Sequence, residues 1–191
     1  MEIRQMHFPS ELKIRESESG KKIEGYFIVY NQKTNLFGNI YEQMAKGSID
    51  NALANNDIRC LFDHDSAKVL GRTGNGTLKL KSDDYGLYGE VEINQNDQEA
   101  KDIHARVERG DINACSFGFY PIAEERTEES DGSITYTVKE ADVIEVSVVT
   151  FPAYPQTQVS ARKKEVETFK REKLEARKED LKKKLKGETQ C

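Results

Sequence analysis

The chain has 191 residues, 36% hydrophobic and 33% charged, which is enough for one domain with a full core and a modest appendage. Its charge is divided unevenly. Residues 161–191 carry 12 Lys/Arg against 7 Asp/Glu, a net of +5, which leaves 17 basic and 27 acidic residues in 1–160, a net of −10. An acidic body with a basic tail does not fit a nucleic-acid-binding domain, and the short apolar runs leave no candidate for a membrane-spanning helix.

"MEIRQMHFPSELKIRE" at the N-terminus lacks the basic-then-apolar layout of a signal peptide, which points away from secretion. Cys60, Cys115 and Cys191 have neither paired nor CxxC spacing and read as reduced thiols of a cytosolic protein. Three scattered histidines and three scattered cysteines make no metal-ligand cluster, so neither metal nor cofactor is expected.

In chain order, residues 1–21 read as an N-terminal extension in which His7 has no role. "KIEGYFIVY" (22–30) has the aromatic and β-branched content of a strand, and "NQKTNLFGN" reads as a loop rich in turn residues. In "YEQMAKGSIDNALANND" Ser48 is placed to cap a short helix whose Ile49, Ala52 and Leu53 share a face. "IRCLFDHD" alternates as a strand, with Ile58, Cys60, Phe62 and His64 on one side. "TLKLKSDDYGLYGEVEI" makes a hairpin about its Asp-Asp-Tyr-Gly turn. "DQEAKDIHARVERGD" makes an amphipathic helix stopped by Gly110, with His104 at or near its surface. "NACSFGFYPI" is a strand, "AEERTEESDGSITY" a charged hairpin loop turning at Asp131-Gly132, and "TVKEADVIEVSVVTFPAYP" a last strand closed by Pro152 and Pro155. From about Gln156 the Lys/Glu-rich chain has a loose stripe of Val166, Phe169, Leu174, Leu181 and Leu185, the pattern of a solvated helix.

Three residues attract attention as chemistry. Ser116 shares a strand face with Ala114 and Gly118, small residues that would leave space above the sheet, while Cys115, Phe117 and Phe119 take the core face. A serine hydroxyl needs a base within hydrogen-bond reach before it can attack, and pattern alone equally allows a serine satisfied by backbone. His64, where strand becomes turn, is a candidate base, and equally a strand-end histidine bonded to a loop. Glu145 shares a face with Ser147 in an otherwise apolar strand, whose Ile144, Val146 and Val148 take the other side. A carboxylate there is costly unless partnered, and orienting an imidazole is one way to partner it; an exposed edge-strand Glu is the alternative. Asp63 and Asp65 are rivals for that role.

The order "LFDHD", then about fifty residues, then "SFGF", then "IEVSVVTFPAYPQT", with "GYFIVYN" before and "VLGRT" between, resembles the tailed-phage prohead maturation proteases, serine peptidases that share the fold of the herpesvirus assemblins. The likeness spans about Ile23 to Val159. It implies a mainly β, α+β architecture: an antiparallel β-barrel with flanking helices over 22–160 and a charged helical tail over 161–191. It implies Ser116 as nucleophile, His64 as general base, and Glu145 as the acidic third member in place of the assemblins' second histidine. By analogy the amides around Gly71, Arg72 and Thr73 are expected at the oxyanion hole.

The implied activity is a serine endopeptidase, working without cofactor, that cuts the scaffold or the coat protein's scaffolding segment inside the procapsid, and then itself. Its expected partners are the major capsid protein and the scaffold protein, with a homodimer left open and with neither nucleic acid nor membrane. Its expected location is the host cytoplasm, inside the assembling procapsid, with the tail as a mobile helix that carries it there. The alternative is a catalytically inert barrel serving as a scaffold or shell-assembly protein.

Overall fold

A computed structural model of the chain describes residues 3–9, 12–17, 20–151 and 156–188. It divides into two compact units, 1–154 and 155–191. The strands are β1 (Arg4–Pro9), β2 (Lys13–Ser17), β3 (Gly20–Val29), β4 (Thr34–Phe37), β5 (Ile40–Met44), β6 (Arg59–Phe62), β7 (Asp65–Arg72), β8 (Leu78–Ser82), β9 (Gly86–Glu92), β10 (Ala114–Glu128) and β11 (Ile134–Val149). The helices are α1 (Asp50–Asn55), α2 (Gln98–Arg109) and α3 (Gln156–Glu188), with a 3-10 turn at Thr73–Asn75. Pro152, Pro155 and Cys191 lie outside the described residues.

The mainly β, α+β expectation matches this architecture, but the closed antiparallel barrel does not. The first unit has two sheets: a seven-stranded one in the order β1-β10-β11-β5-β4, with β6 also on β11 and β7 on β6, and a four-stranded one in the order β2-β3-β9-β8. Closing a barrel requires every strand to pair on both edges. Among the described residues, β1, β4 and β7 end the ladder of one sheet and β2 and β8 that of the other. Nor is the pairing all antiparallel. β11 gives one edge to β10 along its length, and its other edge receives β5 and then β6, both parallel to it. The stretch read as an N-terminal extension supplies β1 and β2, each paired into a sheet.

The core lies under strand faces that alternation marks well. Cys115, Phe117 and Phe119 of β10 are fully buried, with the two phenylalanine rings stacked at 5.2 Å, and they lie with Val146 and Val148 of β11 and with Phe27 and Ile28 of β3 in one apolar cluster. A bulge between Gly118 and Phe119 shifts the register there, so Phe119 faces Val143. Val143 is therefore the core residue and Ile144 only half-buried, against the simple period-two reading.

Other local differences have equally local causes. The stretch read as a loop at 31–39 contains β4, which pairs with β5. Ser48 does not cap α1: its backbone carbonyl receives the amide of Ala141, and Ile49 stands at the N-cap with no side-chain bond. Ile49 and Ala52 are nevertheless buried as that helix's face requires. The charged segment 123–128 extends β10 as an exposed strand paired to β11, leaving only 129–133 for the turn, so charge marks solvent exposure and not the absence of a strand. α2 begins where Asp97 accepts the amide of Ala100 and ends at Gly110, whose φ of 86° suits glycine. His104 is buried on that helix beside Ile103 and Val107.

Candidate active site

β6 and β7 are joined by a two-residue turn, Asp63-His64, between the paired residues Phe62 and Asp65. Asp63 and His64 have φ of 50° and 59°, the signs that a type I′ hairpin turn demands of both central residues. Asparagine and glycine favour that conformation; Asp and His tolerate it at a cost, so the surroundings must hold it. They do. The Asp63 amide donates to the Val148 carbonyl (3.0 Å), and the Asp63 carboxylate accepts from the amide (2.7 Å) and hydroxyl (3.0 Å) of Thr150. The turn is thereby fastened to the end of β11.

His64, just beyond the strand rather than on it, turns its ring to β11. Its Nδ1 lies 2.6 Å from Glu145 Oε1, with the two side chains 14% and 11% exposed. The other carboxylate oxygen, Oε2, accepts a 2.6 Å hydrogen bond from the Ser147 hydroxyl, and Ser147 is fully buried. Glu145 is thus partnered in the way the cost of its burial requires. Asp63, the first rival, is committed to Thr150; Asp65, the second, accepts from the Ala67 amide at 2.9 Å.

Ser116 reaches the same neighbourhood through strand register. It pairs with Ser147 across β10–β11, while Gly118 pairs with Glu145, so the four share one face of the hairpin. The carboxylate occupies the place where a side chain at 118 would begin: a Cβ there would lie 3.1 Å from Cδ and Cγ of Glu145 and closer still to Oε1. The expected open face is not observed. Ser116 is fully buried, and its hydroxyl donates to the Met6 carbonyl of β1 at 2.9 Å. β1 pairs along β10 with His7 opposite Ser116, so the N-terminal segment, to which the sequence assigns no role, contributes directly to the surroundings of the serine.

Two of the three amides expected at the oxyanion hole, those of Arg72 and Thr73, are engaged elsewhere. That of Arg72 donates to Thr77 Oγ1 (2.9 Å) and that of Thr73 to the Ile58 carbonyl (2.9 Å). Gly71 answers a packing need, since a Cβ there would stand 2.5 Å from Val91 Cγ2 and 3.0 Å from the Thr77 carbonyl oxygen. Neither Cys60 nor Cys115 is a rival nucleophile. Cys60 and Cys115 are both buried, and burial pushes the Cys60 thiol well above its ordinary range, aided by Cys115 and Glu145. Among the described residues no group of three or more His, Cys, Asp or Glu could hold a metal ion, and no helix is long and apolar enough to cross a membrane.

The structure thus brings His64 and Glu145 together and sets Ser116 on the strand face that bears Glu145, with the serine hydroxyl on the Met6 carbonyl and not on His64. The fold is similar to that of the bacteriophage T4 capsid assembly protease, whose structure matches it with a TM-score of 0.52 at 13% identity, over 77% of this chain and 96% of that one. The family model of the caudovirus prohead serine protease matches residues 10–172, and the chain belongs to that family. It is also similar to the prohead protease of Enterobacteria phage HK97, 29% identical over 158 residues, a match covering 80% of this chain and 66% of that protein's length.

Proposed function

We propose that the chain is a serine endopeptidase of head maturation, with Ser116 as nucleophile, His64 as general base and Glu145 as the residue that positions His64. The observation that carries this reading is the 2.6 Å contact between His64 Nδ1 and Glu145 Oε1, on the strand face that also bears Ser116. With a carboxylate on Nδ1, the neutral ring holds its proton there and offers Nε2 as the basic nitrogen. To react, the Ser116 hydroxyl exchanges the Met6 carbonyl for Nε2 and gives up its proton as the oxygen attacks the scissile carbonyl, forming a tetrahedral intermediate. The imidazolium then protonates the amine as the C–N bond breaks, which leaves the acyl-enzyme, and water repeats the sequence to release the acid. Glu145 stabilises the imidazolium in both halves.

The proposed substrates are the scaffold protein or the scaffolding segment of the major capsid protein, cut inside the procapsid in the host cell, followed by the enzyme itself. Membership of the prohead protease family supports that setting. Co-expression with the cognate coat protein, followed by intact mass, tests it: shortened coat protein is expected with the wild-type chain and full-length coat protein with Ser116→Ala or His64→Ala. Normal cleavage by either variant would overturn the assignment.

One observation favours a second reading. A fully buried serine bonded to a backbone carbonyl is also what a structural serine looks like. An inert shell-assembly protein of this fold would leave the coat protein uncut even in its wild-type form, and the same experiment separates the two.

A further inference from the structure

Ser147 lies one cross-strand pair from the proposed triad and has no part in it so far. Its side chain is fully buried, and a buried strand serine is most cheaply satisfied by a backbone carbonyl, the arrangement Ser116 adopts with Met6. Ser147 instead donates to a carboxylate, Glu145 Oε2, at 2.6 Å. Hydrogen bonds to charged acceptors are the shorter and stronger kind. The Glu145 carboxylate is therefore confined on three sides: His64 Nδ1 at Oε1, the Ser147 hydroxyl at Oε2, and the side-chain-free backbone of Gly118 opposite it. Remove the hydroxyl and Oε2 loses its hydrogen bond, leaving the single contact of Oε1 with His64 and the packing against Gly118 to set the twist of the carboxylate about its last bond, a soft torsion with a broad minimum.

We infer that Ser147 is a positioning residue of the active site, acting through Glu145: it sets the plane of the carboxylate so that Oε1 meets His64 Nδ1, and thereby aims Nε2 at the Ser116 hydroxyl. This rests on the roles proposed for Ser116, His64 and Glu145. Ser147 also faces Ser116 in the β10–β11 register, so the residue that locks the carboxylate and the residue that attacks are held by the same strand pair. Any slip in that pairing would misplace both together.

The test is a kinetic cycle on purified cognate coat protein, with Ser116→Ala as control. Ser147→Ala is expected to lower kcat by about tenfold to a hundredfold, the range to which a hydrogen bond to a charged group converts, with KM little changed. Ser147→Thr, which keeps the hydroxyl, is expected to restore most of the rate. In a Glu145→Gln background, Ser147→Ala is expected to cost nothing further, because its effect passes through the carboxylate. Ser147→Cys, close in volume but a weak donor, repeats the measurement should the alanine variant unfold. A wild-type kcat in both Ser147→Ala and Ser147→Cys, or an undiminished loss in the Glu145→Gln background, overturns the inference while an inactive Ser116→Ala leaves the triad standing. An active Ser116→Ala overturns both.

Discussion

Gly118 and Glu145 face each other across the β10–β11 hairpin, and the absent side chain of the one makes room for the carboxylate of the other. The glycine of "SFGF" is thus explained by packing against a charged group and not by backbone freedom. Gly118→Ala is expected to push the carboxylate off His64 and lower the cleavage rate by about a hundredfold, the scale of an ångström's misplacement at a reacting site. Overpacking should cost about 1–3 kcal/mol of stability. Initial rates and urea unfolding measure the two; wild-type values for both would show that the carboxylate is not held where this geometry puts it.

His64 is held at φ 59°, and that has a consequence separable from its chemistry. His64→Gly and His64→Ala should both be inactive. The glycine variant should be the more stable, by about 0.5–1 kcal/mol, because alanine carries a Cβ penalty in the left-handed region that glycine does not. Urea midpoints of the two decide it, and alanine above glycine would mean that the turn is not type I′.

Much of this site is legible in the sequence because it lies on strands. Period-two alternation by itself sorts Ser116 from Cys115 and Phe117, and Glu145 and Ser147 from Val146 and Val148; burial does not separate the two faces, because Ser116 and Ser147 are as buried as the apolar residues opposite. The same rule has no means of registering the bulge that gives Val143 rather than Ile144 to the core, nor the reversal of φ that lifts His64 out of its strand. A partner for Glu145 is implied by chemistry, since a carboxylate in an apolar strand needs one. The role of Asp63 is not: its bonds to Thr150 span 87 residues of sequence and depend on where two loops end. β1 is hidden for a similar reason. "RQMHFP" alternates only weakly, and its place beside Ser116 comes from a pairing with β10 more than 100 residues away. Barrel closure, suggested by the run of strands and implied by the family resemblance, is not observed, and no residue pattern within the chain specifies which strand edges remain unpaired.

The hairpin that presents His64 is tied at its far end by Asp57. Arg72 donates to its carboxylate from Nε (2.6 Å), and the Gly74 amide adds another bond (2.9 Å), which together hold the carboxyl below its ordinary 3.8, at about 2. A carboxyl with a depressed value in the folded state stabilises the fold fully above 3.8 and loses that contribution as pH falls toward 2. The wild-type urea midpoint should therefore fall more steeply between about pH 4 and pH 2 than that of Asp57→Asn, with solvent screening keeping the difference modest. Parallel curves for the two would show that the Asp57–Arg72 pair is not formed in solution.

The tail makes the riskiest prediction. α3 carries exposed Leu174 and Leu181, each 52% accessible, and ion pairs such as Lys178–Glu175 and Lys184–Asp180, both 2.8 Å, along a surface dominated by charge. Such pairs support a helix but do little to anchor it to anything. Its net charge of +5 over 161–191, against −10 for the rest of the chain, suits attraction to an acidic coat or scaffold surface that weakens as salt is raised. Deleting residues 162–191 should therefore leave peptide hydrolysis intact and prevent packaging into the procapsid, and the full-length Ser116→Ala chain should co-sediment with empty shells at low salt and less so at high salt. Self-cleavage is expected near the junction with the first unit, a site that intact mass of the released fragments would locate. A truncated enzyme that enters shells at the full level, or co-sedimentation indifferent to salt, would remove the targeting role from the tail and leave hydrolysis to the two-sheet unit alone.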